Sequence, residues 1–167
     1  MSLESDIALI KRQEELLQFS KFDEADAWAL GQSMRALAEK KKLPLVMEIR
    51  VAGRPLFYTA LPGTTSENPD WVRRKVNTVM RFAAASYRVG LQYRLSGNAF
   101  DASRGLNPID YAPAGGGFPI HIKGTGVVGS VTVSGIPQRE DHGFVVEALA
   151  AFLNVSLKEI QLPPADD

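Results

Sequence analysis

The sequence of 167 residues contains no cysteine. This absence excludes disulfide bonds, thiolate catalysis, iron–sulfur clusters and cysteine-ligated zinc. No apolar run approaches the length of about 18 residues that a membrane-spanning helix needs. The charged stretch over residues 1–17 has no signal-peptide pattern, because no apolar segment follows a basic one. We therefore expect a cytoplasmic protein that has no membrane partner.

An excess of either charge is also missing, because 19 lysine and arginine residues balance 19 aspartate and glutamate residues. A nucleic-acid-binding protein normally carries a basic excess or stripe, so we expect no nucleic-acid partner. A net charge near zero also removes the repulsion that keeps copies apart, which is compatible with self-association. The length and the hydrophobic fraction of 45% predict a single domain over residues 1–167. Within it we expect a helical part over 1–43 and a sheet-and-helix core over 44–162.

Hydrophobic periodicity defines the predicted elements. Helical spacing predicts helices over residues 3–19, 23–42, 69–89 and 137–153, with a capping box at 20–23 and an N-cap at Asn68. Strand-like segments over 45–51 and 56–61, and over 118–123 and 127–134, predict two hairpins. Shorter helical turns are predicted near 92–100 and 156–159. This order predicts an α/β fold of the α+β type, in which two N-terminal helices precede a sheet covered by helices.

The glycine pattern of residues 124–129 matches the G-x-G-x-x-G sequence that binds dinucleotide phosphates. That motif requires a strand before it and a helix that begins within it. Here the residues that follow, Ser130 to Val133, are mostly β-branched and predict a strand. The pattern is therefore interpreted as a hairpin turn and a strand glycine.

The most site-like feature is the glycine-rich stretch over residues 114–142. Three consecutive glycines, Gly115, Gly116 and Gly117, precede the second hairpin. Their N–H groups could form an anion-binding nest, and a flexible turn explains the same pattern equally well. Ser134 and Gly135 close the hairpin. Asp141 lies near the start of the last long helix, where a negative charge suits the helix dipole.

The chain has two histidines, His121 and His142. Strand alternation turns His121 away from Ile120 and Ile122, towards solvent, a groove or an interface. His142 lies in the first turns of a helix, which lowers the pKa of an imidazole and favours the neutral form. Each is a candidate metal ligand, and with Asp141 they could form a two-histidine, one-carboxylate site. A purely structural hydrogen-bonding role is the alternative for both.

Arg74 and Lys75 lie near the start of the third helix, where a cation opposes the helix dipole. Asp70 precedes Arg74 by one turn and can pair with it. Lys75 has no such partner and borders the apolar stripe, so it is a candidate anion-binding or acid–base residue. The alternative is an ordinary salt bridge from Lys75 to Glu48 or Asp101.

Residues 70–75, followed by Phe82 and Ser86, then residues 115–120, 128–135 and Asp141, form a combined pattern. This pattern resembles the GlcG/HbpS-like family of haem-degrading domains, and the spelling of residues 134–142 resembles its uncharacterised branch of about 160 residues. The resemblance covers most of residues 45–153. It implies a profilin-like fold with an antiparallel sheet of about four to five strands flanked by helices. It also implies assembly into dimers or larger rings.

The resemblance makes haem a possible cofactor, since some relatives bind it. The shared pattern supplies the candidate ligand-binding residues, to which it assigns no roles: Arg74, Lys75, Gly115, Gly116, Gly117, Ser134, Gly135 and Asp141.

Three functions remain open at this point. The first is a small-molecule-binding oligomer, with haem or another tetrapyrrole as its ligand and His121 or His142 as the axial residue. The second is an enzyme that acts on a small anionic metabolite, with Lys75 or His142 as the acid–base group. The third is a non-catalytic assembly or adaptor protein that uses exposed aromatic residues as its interface. The candidates for that interface are Trp28, Trp71 and Tyr93.

Overall fold

The computed structural model describes residues 2–165. Two helices come first, α1 (Leu3–Leu16) and α2 (Glu24–Lys40), followed by strands β1 (Val46–Val51) and β2 (Arg54–Ala60). Helices α3 (Glu67–Phe82) and α4 (Ser86–Ser96) and a 3-10 turn (Ala102–Arg104) lead to β3 (Gly117–Ile122) and β4 (Gly126–Ser134). Helices α5 (Gln138–Leu153) and α6 (Leu157–Ile160) complete the order.

The four strands form one antiparallel sheet in the order β2-β1-β4-β3. The two hairpins meet through β1 and β4, where Met47 lies opposite Val133 and Ile49 lies opposite Val131. The predicted helix-flanked antiparallel sheet with two N-terminal helices is thus confirmed, with four strands.

The two faces of the sheet carry different layers. Helices α2 and α5 pack on one face, and α3 packs on the other. Because strand residues alternate between faces, Met47, Ile49 and Val131 enter the main hydrophobic core. Val46, on the opposite face, packs with α3 in a smaller cluster that includes Val72 and Val76. The helix α3 therefore stands alone over its face of the sheet, and this places the site described below.

The predicted helix over residues 69–89 is wrong as a single element. The chain leaves the helix at Ala83, which adopts a left-handed conformation with φ of 50°, and a second helix begins at Ser86. Tertiary contacts explain the break, because Glu14 of α1 accepts a hydrogen bond from the Ala85 N–H, and the Ser86 hydroxyl reaches the carbonyl of Ala114. The predicted turn near 92–100 is the end of this second helix.

The helix starts also differ from their predicted positions. The capping box joins Asp23 and Asp26, not Ser20 and Asp23. Helix α3 begins after Ser66, and the Asn68 side chain instead accepts a hydrogen bond from the Thr65 N–H.

The hairpin interpretation of residues 124–129 agrees with the structure, because strand β4 begins at Gly126 and continues to Ser134, so the glycine pattern leads into a strand. None of the helices described between residues 2 and 165 combines the length and apolar character needed to cross a bilayer.

Candidate functional site

A buried ion pair joins α3 to α5. The Lys75 Nζ lies 3.0 Å from Oδ2 of Asp141 and donates a second hydrogen bond of 3.0 Å to the Val133 carbonyl of β4. The two side chains are only 3% and 2% exposed. Lys75 therefore pairs with neither Glu48 nor Asp101. Glu48 instead holds Arg50, with 2.9 Å between Oε1 and Nε.

The sequence between β4 and α5 holds the Asp141 carboxylate in place. Pro137 is the residue directly before α5 and makes no side-chain cap hydrogen bond. The Oδ1 atom of Asp141 then accepts a hydrogen bond of 3.3 Å from the Ile136 N–H, and the Gly135 N–H also contributes. The carboxylate thus closes the turn that precedes its own helix, and Oδ2 faces Lys75.

The ion pair lies at the base of a surface pocket of about 300 Å³. Helix α3 lines one side, and the turn between β4 and α5 lines the other. The Asn68 amide lies 3.4 Å from the Ser134 hydroxyl across the pocket. The lining residues are Asn68, Trp71, Lys75, Ala114, Ser134, Gly135, Ile136, Gln138 and Asp141. Four of the predicted ligand-binding residues are therefore brought together, namely Lys75, Ser134, Gly135 and Asp141.

Burial acts on both charges of the pair. It raises the pKa of Asp141 to about 6, although the Lys75 ammonium opposes that change. Burial also lowers the pKa of Lys75, against the attraction of Asp141. Desolvation disfavours a charged form and an opposite charge favours it, so here desolvation is the larger effect. The pocket therefore combines the Lys75 ammonium, a hydrogen-bond donor, with the Asp141 carboxyl group, whose pKa is about 6.

The glycine run forms the packed wall behind Lys75. The N–H of Gly115 donates to the Gln138 side chain, and the N–H of Gly117 donates to the Ser86 hydroxyl. These N–H groups are consequently not free to form the anion nest considered above. Gly116 has φ of +129°, and a Cβ there would lie 2.8 Å from the Lys75 Nζ and 2.4 Å from the Val133 oxygen. Its missing side chain makes room for the lysine.

Arg74 lies beside the pocket and supports its rim. Its guanidinium stacks 3.9 Å from the centre of the Trp71 ring, and its Nε donates to Asp70 at 3.0 Å. The predicted Arg74–Asp70 pair is thus present. Trp71 is 37% exposed, so one part of its ring holds Arg74 while the residue also lines the pocket.

His142 lies in the core and does not reach the pocket. Its Nε2 is 2.7 Å from Oε1 of Gln13, whose amide nitrogen donates to the Ile160 carbonyl at 2.6 Å. The amide orientation makes Nε2 the donor, so Nδ1 carries the lone pair. Nδ1 has no hydrogen-bond partner among the described residues. Burial lowers the pKa of His142 to about 3, with a further contribution from Arg139.

His121 lies on β3, half-buried, beyond a bulge that follows Ile120. It is four residues along the strand from Gly117, which corresponds to roughly 13 Å. The structure does not bring the two histidines together with Asp141. No group of three or more histidine, aspartate or glutamate side chains within residues 2–165 is arranged to hold a metal ion.

Sequence reasoning missed three polar parts of this region. Asn68 was interpreted as a cap, although its amide lines the pocket, and Gln138 carried no signal at all. Gln13 did carry one, because it follows Ile10 by three residues and precedes Leu17 by four, within an apolar stripe. A polar residue in such a stripe indicates a buried hydrogen-bond partner.

The fold and the pocket define a small α+β protein with a buried lysine–aspartate pair under a single helix. A family model described as "Haem degrading protein HbpS-like" matches residues 22–150. A UPF0303 protein of Mesorhizobium japonicum is 48% identical over 162 residues, which cover 97% of each chain. One from Azotobacter vinelandii is 49% identical over 162 residues, covering 97% of this chain and 98% of that protein. The chain belongs to the HbpS-like family, as the sequence resemblance predicted.

Solved structures share the architecture. Ybr137w has a TM-score of 0.81 and 27% identity, and the match covers 92% of this chain and 88% of that one. HbpS has a TM-score of 0.62 and 19% identity, with 80% and 91% coverage. The haem complex of PduOC has a TM-score of 0.65 and 17% identity, with 83% and 98% coverage. The last two likenesses establish a common fold.

Proposed function

We propose that this protein binds a small molecule that carries a carboxylate, in the pocket above Lys75 and Asp141. The observation that carries this proposal is the buried lysine at the pocket base. An ammonium group has three protons, and two of those on Lys75 have acceptors among the described residues. The third can donate to a ligand, and a charge-assisted bond of this kind is stronger than a neutral one.

The other lining groups indicate the rest of the ligand. Trp71 offers an aromatic surface at the rim, and Asn68, Ser134 and Gln138 offer hydrogen bonds. A volume of about 300 Å³ lies at the small end of ligand pockets. A small aromatic or cyclic carboxylic acid matches these features.

Benzoate and benzamide form a matched pair of probes for this proposal. They share one shape and differ in charge, and isothermal titration calorimetry can compare them. We expect benzoate to bind at least about tenfold more tightly, because it pairs with the Lys75 ammonium. Trp71→Ala and Ser134→Ala should each weaken binding. Lys158→Gln, an exposed lysine on α6, is the control and should leave binding unchanged. Equal affinity for both probes would contradict the proposal.

Haem is the second candidate ligand, suggested by the family description and by the haem complex of PduOC. Haem iron is usually held by histidine, cysteine, methionine or tyrosine. None of these residue types lines the Lys75 pocket. The Nε2 atom of His142 is already engaged in a hydrogen bond with Gln13. The pocket therefore does not fit haem held through its iron. His121 remains the candidate ligand, because its half-buried imidazole makes no side-chain hydrogen bond within residues 2–165.

A hemin titration followed by absorption spectroscopy tests this second candidate. If His121 holds the iron, the wild-type protein shifts the Soret band and His121→Ala does not. His142→Gln serves as the matched control and should retain the shift, since His142 is buried. An unshifted Soret band in the wild-type protein, or an unchanged shift in His121→Ala, would rule out ligation by His121.

We also propose that the protein self-associates. Its formal net charge is zero, and several large apolar side chains are exposed, including Trp28 at 57% and Ile109 at 69%. Exposed aromatic residues are enriched at interfaces. Light scattering after size exclusion should give a mass at least twice the 18.2 kDa of one chain. A monomer at all concentrations tested would contradict this proposal and would also remove the adaptor hypothesis.

A further inference from the structure

A second pocket lies on the other side of α3. Its volume is about 460 Å³, larger than that of the Lys75 pocket. The two pockets use opposite flanks of one helix, since Asn68, Trp71 and Lys75 line the first. Residues 69, 73, 76, 77 and 80 line the second. Helix α3 thus separates two clefts on one sheet face.

A row of hydroxyl groups on β4 runs beneath the helix from one pocket to the other. Ser130, Thr132 and Ser134 alternate on this face, with Ser130 in the second pocket and Ser134 in the first. The Ser130 and Thr132 side chains are fully buried, and neither hydroxyl has a hydrogen-bond partner among the described residues; of the two, Ser130 lines a pocket. Buried polar groups in proteins are nearly always paired, so the Ser130 hydroxyl is available for a hydrogen bond at the wall of this pocket.

Apolar and aromatic side chains form part of the lining of the second pocket. Tyr58 of β2 is 50% exposed, and Met80 of α3 is 44% exposed. Val76 adds a third apolar surface between helix and sheet. A tyrosine ring and a methionine side chain suit a flat π-system, through stacking and sulfur–aromatic contacts.

The charges that line this pocket are already paired. Arg50 binds Glu48 through two nitrogens, at 2.9 and 3.3 Å. Arg73 is held by Asp70 and Asp110, at 3.0 Å each. The uncharged side chains that line this pocket include Ser130 and Asn77, and Asn77 presents its amide oxygen, because its amide nitrogen donates to the Asp110 carbonyl. The pocket thus favours an uncharged ligand that donates hydrogen bonds.

We infer that this second pocket is a binding site for a neutral, planar heteroaromatic molecule with N–H donors. The ring stacks on Tyr58 and against Met80, and its donors face the oxygens of Ser130 and Asn77. This inference does not rest on the function proposed for the Lys75 pocket, since the two sites share no lining residue.

The probe for this site is 2-aminopurine, a flat heterocycle with N–H donors whose fluorescence falls when it stacks. Titration with the protein should give saturable quenching. Tyr58→Ala should weaken binding by about tenfold, the effect typical of a base stacked on an aromatic side chain. Tyr58→Phe keeps the ring and should bind like the wild type. Ser130→Ala removes the unpaired hydroxyl and should also weaken binding.

Two controls separate this site from other surfaces. Trp71→Ala alters the first pocket, and Trp28→Ala removes an exposed aromatic side chain that packs on Phe57 instead. Neither should change the affinity. Absence of saturable quenching, full affinity in Tyr58→Ala, or loss of binding in Trp71→Ala would each overturn the inference. So would a wild-type affinity that falls as the protein self-associates, because the pocket would then be an interface between copies.

Discussion

The Lys75 ammonium and the Asp141 carboxylate lie 3.0 Å apart, almost without solvent contact, at the base of an open pocket. Buried ion pairs are weak contributors to stability, because desolvation offsets much of their attraction. Burial here raises the pKa of Asp141 and lowers that of Lys75, so the surroundings disfavour the charged form of both groups. Groups with perturbed pKa values in a cleft are candidates for a binding or reacting site.

A double-mutant cycle can measure how strongly the two residues depend on each other. Lys75→Met leaves the carboxylate buried without its partner, and we expect a loss of about 3 kcal/mol in the free energy of unfolding. Asp141→Leu should have a similar effect. The double variant should lose clearly less than the sum, because neither charge is left alone. Urea unfolding gives all four values, and additive losses would contradict a coupled pair.

Gly116→Ala should destabilise the protein by roughly 1–3 kcal/mol more than Gly124→Ala. Both glycines have positive φ, but a Cβ at Gly124 meets no atom within 4 Å. At Gly116 the Cβ would press on the Val133 oxygen, which is the acceptor of Lys75. Gly116→Ala should therefore also weaken benzoate binding, and urea unfolding with calorimetry checks both effects. Equal destabilisation by the two substitutions would show that crowding at Gly116 is unimportant.

Local pattern was sufficient to predict the sheet and the two N-terminal helices, and it made Lys75 and Asp141 candidate site residues. Their pairing was not predictable, since 66 residues separate them and the sheet order decides which turn lies under α3. The helix break at Ala83 was also hidden, because neither glycine nor proline marks it. That break depends on contacts from Glu14 and Ala114, which exist only in the folded chain.

Binding of benzoate should strengthen as pH falls from 7.5 to 5.5. The pKa of Asp141 is about 6, so its carboxyl group gains a proton within this range while benzoate stays charged. Protonation removes a negative charge beside the ligand, and Lys75 and Arg74 remain as the nearby cations. We expect an increase in affinity of several-fold, measured by calorimetry at four pH values.

Two comparisons make this prediction specific. Asp141→Asn should bind benzoate with little dependence on pH, because the titrating carboxyl group is gone. Benzamide should show no comparable increase with the wild-type protein. Affinity that falls on acidification would place the ligand away from Asp141.

His142 should make stability rise with pH. Its pKa is lowered from 6.5 to about 3 in the folded chain, so between these values the unfolded chain binds more protons than the folded one. Stability then increases as pH rises. One pKa unit corresponds to about 1.4 kcal/mol, so the contribution from pH 4.5 to 6.0 is about 2 kcal/mol. Asp141 acts in the opposite direction, because its pKa is raised on folding and the folded chain binds the extra proton.

The net pH profile of the wild-type protein therefore conceals both effects, and a variant is needed to separate them. His142→Gln removes the rising contribution and keeps a side chain that can donate to Gln13. The stability difference between wild type and variant should grow by about 2 kcal/mol from pH 4.5 to 6.0, as measured by urea unfolding. His121→Gln, which removes the other histidine, should leave this growth in place. A difference that stays constant with pH would mean that folding does not lower the pKa of His142.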